Sequence, residues 1–233
     1  MTPAGDPVGG IGGIGGIGQP TSALVAARAG LHRMRATMAC DMRVQYRNGF
    51  YLAAAFVAVF WILILRLLPI DDLAWWMPVF VLSNALIGTF YFIAGLVLLE
   101  KSEGTLLAQA VAPLRDGEYL GSKVATLLLL ALVENLAIVA LAIGPAFRPL
   151  PLVAGLSSAA AFLVLVGFLV VVRYDSINEY LFPSFLFTLI FIPPALAYLG
   201  IWQSPLAYLH PLQAALVLMS GAVAPLEAWQ RCA

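Results

Sequence analysis

Apolar positions gather into five long runs, at roughly Phe50–Leu68, Trp76–Leu99, Val124–Ile143, Leu152–Val172 and Leu181–Ile201. A run of about 20 residues, at ~1.5 Å per residue, covers ~30 Å, the thickness of the hydrocarbon layer of a bilayer. Pro, Gly, Asp or Arg interrupts the pattern between runs, as loops require. Trp75, Trp76 and Trp202 stand at run ends, where indole rings favour the lipid–water interface. The pattern predicts an all-α, polytopic membrane protein with five transmembrane helices. A sixth stretch, Pro205–Ala224, is weaker: His210 and Pro211 break it, and its clean part, Leu212–Ala224, has 13 residues. That length suits a short re-entrant or interfacial helix better than a span.

Two different segments precede the spans. Residues 1–20 repeat Gly-Gly-Ile between Gly9 and Gly18, a composition that resists ordering and predicts a flexible tail. Residues 21–48 change character. Leu24, Leu31, Met34, Met38 and Met42 recur at helical spacing behind Ser22, a good capping residue. Arg28, Arg33, Arg35, Arg43 and Arg47 flank that stripe, opposed by Asp41 alone. Such a helix lies in an anionic headgroup layer or docks on its own protein, and the two are compatible. The transmembrane domain then occupies 49–225, and residues 226–233 form a short tail.

Composition narrows the function. With 62% hydrophobic and 10% charged residues the chain is too apolar for a soluble enzyme, a nucleic-acid binder or a disordered protein. Net charge is zero, but its distribution is informative. A cytoplasmic N-terminus puts Arg28, Arg33, Arg35, Arg43, Arg47, Lys101, Arg115, Lys123 and Arg173 inside, which is nine of the 12 basic residues. The positive-inside bias therefore predicts that orientation in the cell membrane. Cys40 and Cys232 lie far apart and form no metal-type spacing, and no phosphate-binding loop or metalloprotease motif occurs.

The segment between the second and third runs carries the most information. It reads Glu100-Lys101-Ser102-Glu103-Gly104-Thr105-Leu106, then Pro113-Leu114-Arg115, then Glu118-Tyr119-Leu120-Gly121-Ser122-Lys123. Charges at Glu100, Lys101 and Glu103 force the second helix out of lipid there, and Pro113 ends a short amphipathic turn. This segment resembles the first cytoplasmic loop of ABC type-2 transporter permeases, in which E-x-x-x-G-T-L opens a short helix, P-L breaks it and E-Y-L-x-x-K leads into the third span. Leu209-His210-Pro211-Leu212 resembles the H-P-L element after that family's fifth span. The resemblance covers about residues 22–225 and is nearest to bacterial drug-export permeases, the fluoroquinolone-export type included. It implies a transporter subunit without its own ATPase site or cofactor, since ATP is bound by a separate ABC ATPase subunit. It also implies a second permease subunit as partner. The coupling residues it implies are Glu100, Lys101, Glu103, Gly104, Thr105, Leu106, Pro113, Leu114, Glu118 and Tyr119. Family members follow the H-P-L helix with a final span, and here only 205–224 remains to supply it, or that span is missing.

Polar groups within the spans suggest a pathway for a hydrophobic drug or lipid-like substrate. Asn84, Gly88 and Tyr91 follow helical spacing on the second run, as do Ser184, Thr188 and Phe191 on the fifth. Each stripe mixes small, polar and aromatic residues, which serves either a substrate path or close helix packing. Glu134 lies near the middle of the third run, where a carboxylate costs about 3 kcal/mol to insert. It is a proton or cation site, as in an ion-coupled transporter or channel, or one end of an interhelical hydrogen bond. Pro193-Pro194 predicts a kink in the fifth helix. A remote alternative pairs Ser157 with His210 as an intramembrane serine hydrolase, although Ser158 stands where such sites carry a second glycine.

Overall fold

The computed structural model describes residues 19–67, 69–70, 72–105, 115–145, 147–202 and 204–223. The Gly-rich stretch through residue 18, and Leu106, Pro113 and Leu114 of the loop, lie outside the described residues. Every regular element among the described residues is helical. In chain order they are α1 (Gln19–Arg47), α2 (Phe50–Leu67), α3 (Leu73–Ala85), a π-helical segment (Leu86–Tyr91), α4 (Phe92–Ser102), α5 (Asp116–Ile143), α6 (Pro149–Val171), α7 (Ile177–Thr188), a 3₁₀ turn (Leu189–Phe191), α8 (Ile192–Tyr198), a second 3₁₀ turn (Pro205–Leu209) and α9 (Pro211–Ser220).

Five of the continuous helices are long and apolar enough to cross a membrane: Phe50–Leu67, Leu73–Ser102, Asp116–Ile143, Pro149–Val171 and Ile177–Tyr198. The chain is thus the all-α, polytopic membrane protein that its hydrophobic pattern predicts. The second span, α3 through α4, is the central one, with 72% of its most apolar window buried inside the protein against 11% for α2. Its Leu82, Ile93 and Leu96 meet Leu127 of α5, Leu156 and Leu163 of α6 and Leu212 of α9 in one core.

Close approach of helices depends on two glycines of α6. A Cβ on Gly155 would lie 2.7 Å from the Ala215 carbonyl oxygen of α9, and one on Gly167 would lie 2.9 Å from the Phe90 carbonyl oxygen of the π segment. Helix α9 has 10 residues, ~15 Å of rise, too short by itself to cross a bilayer, and packs on α6. The fifth span breaks where the proline pair predicts it: a 3₁₀ turn at Leu189–Phe191 separates α7 from α8, whose first turn contains the prolines. At the end of the bundle away from the loop, the Tyr198 hydroxyl donates to the Trp75 carbonyl at 2.8 Å, tying the fifth span to the second.

Candidate functional site

Residues 103–105 follow α4 and Arg115 precedes α5, and both of these flanks are fastened by charge. Gly104 ends α4 in the left-handed region, φ 68°, a conformation that side chains resist and glycine accepts freely. One turn earlier, Glu100 points inward and is 5% exposed. Lys123 of α5, with no exposure, donates to Glu100 Oε1 at 2.5 Å and to Asp41 Oδ1 of α1 at 3.1 Å. The second oxygens are also occupied: Tyr119 donates to Glu100 Oε2 at 2.6 Å and Ser122 to Asp41 Oδ2 at 2.5 Å. Lys123 Nζ lies 4.7 Å from the centre of the Tyr119 ring, a cation–π contact. One cation thus faces two carboxylates, each completed by a hydroxyl donor, which is how buried charge is kept from being ruinous to stability.

Polar contacts extend this cluster along α1 in both directions. Gln45 donates to the Thr126 hydroxyl at 3.0 Å on the membrane side. On the loop side Arg33 forks onto Glu118, at 2.7 and 3.1 Å, and that carboxylate raises the affinity of the guanidinium for its proton. Glu118 Oε2 also accepts from the Arg115 N–H at 3.2 Å, capping the start of α5. Arg47 reaches Glu103 at 3.4 Å, and Lys101 donates to the carbonyls of Val172 and Tyr174 and to Asp175 at the turn before α7. The loop's feet are therefore joined to α1 and to the fourth and fifth spans.

The predicted coupling residues separate into two groups. Glu100 and Tyr119 face inward and are engaged with Lys123, because a carboxylate so close to the second span's core finds its cation inside. Lys101 is also turned to its own protein. Glu103, Gly104 and Thr105 form the outer foot, where the Thr105 hydroxyl donates to the Glu100 carbonyl.

A second polar site lies at mid-span. Glu134 of α5 is 7% exposed, and its Oε2 finds no hydrogen-bond partner among the described residues. It faces Gly88, where a Cβ would sit 3.3 Å from Oε2, in the π segment of the second span. π segments frequently mark functional positions. Asn84 of α3 donates to Asn135 Oδ1 at 3.1 Å while its own Oδ1 has no partner among the described residues. The second-span stripe therefore meets the third span. Ser184 and Thr188 of the fifth-span stripe turn their hydroxyls back to Leu181 and Phe185 of their own helix. Tyr91 and Phe191 pack at the edge of the core.

A profile of the fluoroquinolones export permease protein family matches residues 32–232. The chain belongs to that family. The permease is 29% identical over 201 residues to curated fluoroquinolones export permease proteins of Mycobacterium tuberculosis, from strains CDC 1551 / Oshkosh and ATCC 25618 / H37Rv, with 85% of both chains covered in each case. No solved structure matches it.

Sequence reasoning missed the central part of the permease's charge cluster. The sequence places Lys123 among the basic residues of the inner side and sets Asp41 alone against the arginines of residues 21–48. The available signal was a pair of polar faces: Asp41 and Gln45 are four apart on α1, and Tyr119, Ser122, Lys123 and Thr126 share one face of α5. Of the apolar stripe of α1, Leu24, Leu31 and Met42 are exposed, while Met34 and Met38 are half-buried. His210 Nδ1 accepts from the Leu212 N–H and caps α9, with burial holding the imidazole below its ordinary pKa. Ser158 donates to the Gly155 carbonyl. Helix capping and packing thus account for the His210 and Gly155 region. Among the described residues no group of His, Cys, Asp and Glu gathers as metal ligands would.

Proposed function

We propose that this chain is the membrane subunit of an ABC exporter of amphiphilic, fluoroquinolone-like drugs, driven by a separate ATPase subunit that docks on the loop within 100–123. The observation that carries this reading is the double fastening of that loop. Its outer foot, Glu103–Thr105, stays accessible, while Glu100, Tyr119 and Lys123 tie both flanking helices to α1. A push on such a loop moves the second and third spans together instead of bending a loose turn. In this reading Glu103, Gly104, Thr105, Leu106, Pro113 and Leu114 meet the ATPase, whereas Glu100, Lys101, Glu118 and Tyr119 transmit the movement. The basic residues of α1 and the loop support a cytoplasmic N-terminus. A second permease subunit completes the pathway, and the exposed apolar faces of α2 and α7 support such a partner.

The test joins binding to transport. The substitution Glu103→Arg, at an exposed side chain, is expected to abolish co-purification of the ATPase subunit and ATP-driven export from vesicles, with the permease still folded. Unchanged association and export overturn the coupling role. A second reading rests on the unpaired Glu134 Oε2, which suits an ion-coupled transporter. Transport that persists after ATP depletion but is lost in Glu134→Gln supports that reading instead.

A further inference from the structure

The seam between the third span and the middle of the second gathers polar side chains in an otherwise apolar core. Glu134 and Asn135 of α5 and Asn84 of α3 are each more than nine-tenths buried. Their hydrogen bonds run in one direction. The Asn135 amide donates to the Ala131 carbonyl at 2.8 Å, which leaves Asn135 Oδ1 to accept. Asn84 donates its own amide to that oxygen at 3.1 Å, which leaves Asn84 Oδ1 to accept in turn. Asn84 Oδ1 and Glu134 Oε2 both lack a hydrogen-bond partner among the described residues. Asn84 stands one turn before Gly88, the residue that Glu134 Oε2 faces, and the Asn84 side chain lies within reach of the Glu134 carboxyl. The seam therefore holds two waiting acceptors and lacks a donor.

No neighbouring helix offers Glu134 a cation. The second span carries charge only at Glu100 and Lys101, by the loop, and its π segment adds the titratable Tyr91. Helices α6 and α9 carry no charged residue. Helix α2 borders Glu134 with Ala54, Ala58 and Tyr51, and its Arg66 donates to the Leu141 carbonyl, seven residues further along α5. Contacts of α1 with α5 lie toward the loop, where Lys123, eleven residues or ~16 Å before Glu134, is held by Asp41 and Glu100. An ionised Glu134 is then a buried charge without a partner, the state that proteins tolerate least. A divalent cation takes about six to eight oxygen ligands, and this seam has two acceptors to spare. A proton needs no ligand cage.

We propose that Glu134 is a proton-binding site. It holds a proton in this conformation, its hydroxyl is the donor that the seam lacks, and Asn84 Oδ1 is the acceptor. Binding takes one proton from water onto the carboxylate and moves no electrons. Donation then runs from Glu134 to Asn84, from Asn84 to Asn135 and from Asn135 to the Ala131 carbonyl, and both orphaned oxygens are accounted for. The proton also governs packing. Its loss leaves a bare charge against Gly88, so the π segment closes on the third span only while the proton is bound. The second and third spans are thus joined by a proton at mid-membrane, at a kind of helical segment that frequently marks function. The site goes beyond both energy sources considered above and rests on neither.

Infrared spectroscopy of the full-length permease in nanodiscs at neutral pH, with isotope-labelled glutamate carboxyls, tests this. The other described glutamates are paired with Lys123, Arg47 and Arg33 or, for Glu179, exposed, so they contribute carboxylate bands. The unaltered chain is expected to show a label-sensitive band of a neutral carboxyl. Glu134→Gln is expected to lose that band, and Asn84→Leu to shift it, because the hydroxyl loses its acceptor. Amide hydrogen exchange checks the link to packing. As pH is raised, exchange at Leu86–Tyr91 is expected to rise several-fold more in the unaltered chain than in Glu134→Gln, whose amide stays neutral. Absence of the neutral band from the unaltered chain overturns the proposal whatever the variants do. So does a band that survives Glu134→Gln or stays in place in Asn84→Leu, and so does an equal rise in exchange in both chains. None of these measurements uses transport, so their failure leaves the ABC reading standing, and loss of ATP-driven export leaves the proton site standing.

Discussion

Lys123 shows how single residues decide this protein's stability. It sits without solvent exposure between Glu100 and Asp41, and every carboxylate oxygen in the cluster has a donor. Lys123→Met leaves two buried carboxylates without a cation and is expected to destabilise the fold by ~3–5 kcal/mol. Thermal unfolding of the full chain in detergent, followed by helical circular dichroism, checks this. Adding Asp41→Asn and Glu100→Gln to the same chain is expected to restore much of the loss, because no uncompensated charge remains. Part of this was legible from residues alone. Glu100 in the loop pattern and Gly104 as the helix terminator both stand out, the latter because its left-handed φ of 68° favours glycine. The partnership of Asp41 with Lys123 was not, since 82 residues separate them and neither has a local signature.

At the scale of elements, the lengths of the helices follow from hydrophobic runs, and their breaks follow from prolines. Pro193-Pro194 separates α7 from α8, and His210 with Pro211 starts α9. What periodicity does not reveal is which helices touch. The contact of α6 with α9 depends on Gly155, which the sequence offers only as one small residue among many. Gly155→Ala forces a Cβ to 2.7 Å from the Ala215 carbonyl oxygen, and overpacking there is expected to cost about 1–3 kcal/mol. The same detergent melt, compared with an Ala substitution at the exposed Leu169 of the same helix, reads that difference. The π segment at Leu86–Tyr91 likewise has no clear sequence signal, although it sets Gly88 against Glu134.

For the whole molecule, the N-terminal helix is part of the apparatus that holds the loop. Arg33 and Glu118 join α1 to the start of α5, beside Arg115 where the loop returns. Arg33→Glu or Glu118→Arg alone is expected to reduce ATP-driven export several-fold, and the exchange of the two charges is expected to recover it. Vesicle transport with the ATPase supplied measures both, and a double variant no better than the singles counts against the clamp. The chain's own sequence determined that it spans a membrane, how many long helices do so and where the loop emerges, because these depend on the local balance of apolar and charged residues. Only tertiary structure decided that Glu100 turns inward, that Asp41 and Gln45 of α1 meet Lys123 and Thr126 of α5, and that Glu134 faces Gly88 of the second span. Those outcomes depend on which helix faces meet, and residues far apart in the chain find each other only when the whole bundle has packed.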